Sequence, residues 1–305
     1  MRVGVIVPQG WTGEFDGWDA RAAWDRTVAV AQAADRLGFE SVWVYDHFHT
    51  TPEPTDELTF ESFSTLAALA ALTRGVRLGH VVMCASFRNP ALVAKMLSTM
   101  DVISGGRMEM GIGAGWKQEE WLAYGYDFPD TRRRQAVLRD ALEIVTRMFE
   151  AGRASYEGEH ARVAGAINVP KPLQRPRIPI IVGGNGRRVT WALAARYADE
   201  LNLDAMAPAA LRDALPVIRQ RCEETDRDPG TLRVSVHLWL KDRAWLEDTG
   251  EQDLPMTELL AAYRELGVSR VMGLVPGSAD GDEALERFAA DARTAGCEMV
   301  DAGSS

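Results

Sequence analysis

The sequence predicts an α/β protein folded as a (β/α)8 barrel. Three observations carry that expectation. Short runs rich in Val and Ile alternate with segments of helical periodicity, the strand count reaches eight, and no linker-like stretch divides the 305 residues. An open, doubly wound sheet shares the alternation, but eight units without a break favour closure. The expected organisation is therefore one barrel domain over residues 1–305, interrupted by an insertion at about 151–179.

The elements follow in order. "VGVIV" at 3–7 is the first strand, a helix covers about 21–37, and "SVWVY" at 41–45 is the second strand, followed by a helix from about 61 to 73. "VRLGHVVM" from Val76 is the third strand, and the Asn89-Pro90 pair starts its helix, because Pro suits the first helical turn. "RMEMGIG" from Arg107 is the fourth. The insertion between the fourth helix and the fifth strand reads as a hairpin around "SYEGEHARV", then an extended arm carrying Pro170, Pro172, Pro176 and Pro179. "IPIIVGG", "DELNLD" from Asp199, "LRVSVHLWL" from Leu232 and "SRVMGLV" from Ser269 complete the eight.

Composition narrows the function. Hydrophobic residues make up 46% and charged residues 26%, enough apolar material for a substantial core. A net charge of −10 argues against nucleic acid or an anionic membrane as a partner, because binding by counterion release needs a basic surface. The three cysteines, Cys84, Cys222 and Cys297, are far apart and odd in number, which suggests neither a disulfide framework nor a zinc site. The first ten residues hold too short an apolar run for a signal or membrane segment, so a cytoplasmic location is expected.

Chemistry in such barrels sits where strands end. After the fifth strand, Gly183, Gly184, Asn185 and Gly186 precede Arg187, Arg188 and a helix. Unpaired amides at a helix start attract a phosphate, although an ordinary strand-to-helix turn has the same look. After the second strand, Asp46, His47 and His49 gather at the rim, as partners for a polar ring, as proton exchangers, or as solvated loop residues. No third histidine is placed to complete a metal site, so none is expected. Gly111, Gly113 and Gly115 after the fourth strand lack dinucleotide-fingerprint spacing; Trp116 either stacks on a ring or plugs the barrel end. Glu119 and Glu120 read as helix-start acids. The seventh strand alternates cleanly, with Leu232, Val234, Val236, Leu238 and Leu240 toward the helices and Arg233, Ser235, His237 and Trp239 inward. His237 and Trp239, with Trp11 and Trp43, then give an aromatic mouth suited to a flat or apolar substrate.

Taken together, "GFESVWVYDHF", the stretch from "VRLGHVVM" to "GIGAGWKQEEW", "KPLQRPRIPIIVGGNGRR" and "AARYADELNL" resemble the bacterial luciferase-like superfamily, and within it the branch using the deazaflavin coenzyme F420. The resemblance covers about residues 1–225 and implies a (β/α)8 barrel with the cofactor in its mouth. It implies that Gly183, Gly184, Asn185 and Gly186 cradle the phosphate with Arg187 or Arg188 alongside. Ala114 and Gly115 would touch the phosphate or ribityl chain. Asp46 and His47 would lie beside the ring, and a bulge at Val81, Val82 and Met83, with a cis Val81-Val82 peptide, would back it.

The implied chemistry is hydride transfer to or from a small organic substrate. Relatives acting on sugar phosphates or alcohols carry a glutamate where Trp116 stands, which leaves His47 as the first candidate for the proton and His237 as another. No lysine cluster for a phosphorylated substrate is evident, so a neutral enone, imine or carbonyl is expected. Two rivals remain: an FMN-dependent monooxygenase fed by a reductase, and a non-catalytic cofactor-binding barrel. A homodimer is implied by the resemblance alone.

Overall fold

The computed structural model describes residues 1–300. The chain runs β1 (Arg2–Ile6), α1 (Ala20–Leu37), β2 (Ser41–Val44), α2 (Ser62–Leu72), β3 (Arg77–His80), β4 (Met83–Cys84), α3 (Pro90–Ser104), β5 (Met108–Gly113), α4 (Gln118–Ala123) and α5 (Thr131–Phe149). It continues with β6 (Arg153–Glu157), β7 (Arg162–Ile167), β8 (Ile180–Gly183), α6 (Thr190–Tyr197), β9 (Glu200–Asp204), α7 (Pro208–Glu223), β10 (Arg233–Leu238), α8 (Met256–Glu265), β11 (Arg270–Leu274) and α9 (Glu283–Thr294).

The main sheet is parallel throughout and closes on itself. Its order is β3-β2-β1-β11-β10-β9-β8-β5-β4, and β3 also pairs with β5 through Leu78 opposite Met108. The expected third strand is thus two short pieces, β3 and β4, separated by a bulge whose Val81-Val82 peptide is cis. Both pieces pair with β5, and the eight staves form a closed barrel with helices outside. The insertion is the antiparallel hairpin β6-β7 followed by the proline-bearing arm, at the predicted place. Asn89 caps α3 by accepting from the amides of Ala91 and Leu92, with Pro90 in the first turn.

Inside and outside obey the strand alternation. Val234, Val236 and Leu238 belong to the large apolar layer between sheet and helices, whereas His237 and Trp239 turn toward the barrel axis. At the N-terminal end the interior is ionic: Arg270 lies 2.9 Å from Glu109 and 3.1 Å from Glu200, and Arg77 also pairs with Glu109. Buried charges persist only when matched in this way. Trp43 caps this layer, its ring 5.0 Å from the Arg270 guanidinium. It fits because β1 and β3 offer glycines there: a Cβ on Gly4 or Gly79 would come within 2.7 or 2.5 Å of the indole. Trp43 is therefore an interior plug below the mouth, not part of its rim as expected. No described helix is long and apolar enough to cross a membrane.

Candidate active site

A chamber of about 330 Å³ opens at the C-terminal ends of the staves. Its back wall is the bulge, Val81, Val82, Met83 and Cys84. Asp46 ties that bulge down: one carboxylate oxygen accepts from the Cys84 amide at 2.9 Å and from Arg88 at 2.8 Å, and the other from Ser62 at 2.7 Å and Arg88 at 2.9 Å. Burial alone would raise the Asp46 pKa, but the Arg88 bonds and charge outweigh it and hold the carboxylate below its ordinary range. Every lone pair direction is in use, so Asp46 acts as an anchor of the wall rather than a proton carrier.

His47 is free where Asp46 is not. Its ring lies flat on Trp11, centroids 4.1 Å apart, and its Nδ1 is 2.8 Å from Glu120. The other Glu120 oxygen accepts from the Phe48 amide at 2.7 Å. Glu120 is almost fully buried, so reading it as a helix-start acid was incomplete: α4 delivers it beneath the rim to orient His47. An accepting carboxylate at Nδ1 places the neutral imidazole's proton there and leaves Nε2 for the chamber. Trp116 is largely exposed and meets His47 edge-on at 5.9 Å.

The other end of the chamber is a turn of glycines with unpaired amides. Gly183, Gly184, Asn185 and Gly186 line it, and Ala114 and Gly115 approach from β5. Among the described residues, the amides of Asn185, Gly186, Arg187 and Arg188 donate to no protein acceptor. The turn is held from outside: Trp191 Nε1 donates to the Gly184 carbonyl at 3.1 Å, and the Asn185 side chain bonds the Asp204 backbone in both directions, at 2.6 and 3.0 Å. Side chains are excluded here, since a Cβ on Gly183 would reach within 2.7 Å of Val82 and one on Gly186 within 2.6 Å of the Thr190 hydroxyl. That hydroxyl accepts from Gln135 at 3.0 Å, which leaves its own proton to donate. Arg187 does not line the chamber. Residues 187–189 turn away before α6 begins, and its guanidinium sits 5.6 Å from the Trp191 ring.

A third group faces the chamber from β2, β9 and β10. His237 Nδ1 is 2.8 Å from Asp204, whose same oxygen accepts from Trp239 Nε1 at 3.0 Å, and His237 Nε2 is 3.0 Å from the Tyr45 hydroxyl. Trp11 lies between this group and His47, 4.4 Å from Tyr45. The expected residues Trp11, Trp239 and His237 do converge. Sequence reading passed over Tyr45, Asp204, Thr190 and Gln135, and took Glu120 only as a helix-start acid. Asp204 had a usable signal, as the last residue of a barrel strand, and so did Thr190, as the first residue of the helix after the glycine turn; Gln135 lies inside α5 and had none.

Fold and site together define a (β/α)8 barrel with a turn of unpaired amides at one end of an aromatic chamber. This chain belongs to the luciferase-like monooxygenase family, whose model matches residues 1–240. It is 31% identical over 260 residues to an F420-dependent glucose-6-phosphate dehydrogenase from Intrasporangium calvum, covering 77% of this chain and 74% of that protein. Among solved structures, an F420-dependent secondary alcohol dehydrogenase in complex with an F420-acetone adduct superposes with a TM-score of 0.78 at 19% identity, covering 96% of this chain and 98% of the other. The oxygenating constituent of 3,6-diketocamphane monooxygenase from Pseudomonas putida, in complex with FMN, does so with 0.76 at 16%, covering 99% of each.

Proposed function

We propose that this chain is an oxidoreductase that holds coenzyme F420 in the chamber and exchanges a hydride with a small, neutral organic substrate such as an enone, imine or carbonyl. The observation that carries the reading is the run of unpaired amides from Asn185 to Arg188 beside the Thr190 hydroxyl, at one end of a chamber walled by Val81 and Val82. It suits a flat ring with a phosphate tail, and the Intrasporangium relative favours the deazaflavin. When bound, the deazaflavin supplies a carbon that gives or takes a hydride. The chain's own residues do the rest. Gly183 and Gly186 let the tail approach, Asp46 and Arg88 keep the wall in place, and His47 presents Nε2 to the ring edge or substrate, where it can give or take a proton. Trp11, Tyr45, Trp116 and Trp239 favour a substrate with apolar surface.

The same reading takes the chain as one barrel domain acting as a homodimer in the cytoplasm. Leu92, Val102 and Ile103 of α3 and the neighbouring Val169 and Leu173 of the arm are exposed, a surface a second copy would cover. The three cysteines are free thiols, which suits a reducing compartment.

Titration of the apoprotein with oxidised F420 and with FMN, followed by fluorescence, tests the cofactor. Saturable F420 binding with much weaker FMN binding is expected; tight FMN binding without F420 binding overturns the proposal in favour of a monooxygenase. Reduced F420 mixed with enones, cyclic imines and ketones then tests catalysis, and binding with no cofactor oxidation across the panel would leave a non-catalytic binder.

A further inference from the structure

We propose that Tyr45 is the acid that protonates the substrate in this chamber, recharged by His237, with Asp204 as the positioning residue. The inference rests on the oxidoreductase reading above and goes beyond it in assigning the proton's route.

The chain of contacts fixes the direction. Asp204 sits below the ordinary carboxylate range: burial would raise it, but the His237 bond and charge and the Trp239 bond prevail. As a carboxylate it only accepts, so His237 carries its proton on Nδ1 and turns Nε2 to the Tyr45 hydroxyl, 3.0 Å away. Asp204 cannot drift, because Asn185 clamps its backbone on both sides. Tyr45 is buried, and burial, then the charges of Glu14 and Asp204, push its pKa well above the usual phenol value, so it remains a proton donor. The charged and titratable groups around the trio are Asp204 on β9, Glu14 after β1, Lys241 after β10, which bonds the Thr12 carbonyl, and His47 across Trp11.

The step balances as follows. It begins with His237 as imidazolium, Nδ1–H on Asp204 and Nε2–H on the Tyr45 oxygen, which frees the Tyr45 O–H for the substrate. Bound reduced deazaflavin would supply the hydride; the electron pair released on the substrate then forms a bond to the Tyr45 proton and the Tyr45 O–H bond breaks. The His237 Nε2–H bond breaks as Tyr45 regains a proton, and His237 is left neutral until solvent recharges it. No phenolate accumulates.

The test uses wild type, Tyr45→Phe, Asp204→Asn and His47→Ala, each loaded with F420. Fluorescence titration comes first: a wild type that binds no F420 refutes the cofactor reading, not the relay. In ¹⁵N-histidine NMR of the loaded protein, His237 Nδ1 is expected to carry a proton both in the charged state that starts the step and in the neutral state that ends it, with the Nε2 resonance moved by Tyr45→Phe and the Nδ1 resonance by Asp204→Asn; a neutral His237 protonated on Nε2 alone in wild type overturns the relay. In single-turnover oxidation of the reduced cofactor by cyclohex-2-enone, Tyr45→Phe should keep F420 affinity but lose about 100-fold in rate, the usual reach of a positioned general acid. A Tyr45→Phe rate within about twofold of wild type, with the loss confined to His47→Ala, assigns the proton to His47 and overturns the proposal. If wild type leaves cyclohex-2-enone unreduced, the NMR result alone decides.

Discussion

His80, the last residue of β3, is fully buried against Phe63, ring centroids 4.4 Å apart, and neither ring nitrogen has a hydrogen-bond partner. Burial, opposed by Asp46 and reinforced by Arg88, pushes its pKa from 6.5 down to about 4. A base depressed on folding favours the folded state above its unfolded value and weakens it as pH falls toward the folded value, because the unfolded chain then binds the extra proton. Between pH 7 and pH 5 this one site should cost about 2 kcal/mol. At roughly 0.6 kcal/mol per degree for a chain this long, that is about 3 °C of melting temperature. The perturbation is His80→Leu, which removes both unpartnered nitrogens at nearly constant volume. Calorimetric melting of both proteins at pH 7, 6 and 5 isolates the term, since all other titrations are common to the pair. The gap between variant and wild type should move by about 3 °C in the variant's favour from pH 7 to pH 5. A gap that stays constant with pH refutes the reasoning.

Thr190→Val should weaken F420 binding about tenfold by removing a hydroxyl aimed at an anion, whereas Arg187→Ala should leave it within about twofold, as titration by fluorescence will read. Asp46→Ala should lower stability by about 3 kcal/mol, because it strips four donors of their acceptor and leaves Arg88 only Glu61. The Asp46 carboxyl is depressed on folding, so calorimetry should show this deficit in full above the ordinary carboxylate range and shrinking as pH falls through it.

The barrel was legible because each stave repeats the same physical pattern, an apolar run between two helical segments, so eight independent signals agreed. The turn after β8 was legible for a similar reason: three glycines next to a helix start declare unpaired amides without help from elsewhere. What failed was assignment by type and neighbourhood. Glu120 and Asp204 are carboxylates near an element end, as are many solvated ones, and only closure of the barrel brings the first to His47 and the second to His237. Arg187 was credited to the anion by adjacency in sequence, yet adjacency to a tight turn is what swings its side chain away. Trp43 was counted at the mouth because it lies in a strand that ends there; Gly4 and Gly79, on the strands to either side, make the room that sets its depth.

That depth matters for the chemistry above it. Arg270 with Glu109 and Glu200 fills the lower interior with matched charge, and Trp43 seals that layer from the chamber. Ile6, Ile181 and Met272 pack with Trp43, Tyr45 and Val81 in one buried apolar cluster, of which Tyr45 and Val81 also line the chamber. The carboxylates that do reach the chamber each arrive engaged to a cation or a histidine: Asp46 with Arg88, Glu120 with His47, Asp204 with His237. A neutral substrate suits such a lining, because Asp46 is fully committed and the other two carboxylates act through their imidazoles. Among the polar groups that face the chamber, His47 Nε2 and the Tyr45 hydroxyl are set by the end of β2 and the unpaired amides by the turn after β8, and the closed sheet holds these two parts of the barrel rigid with respect to one another.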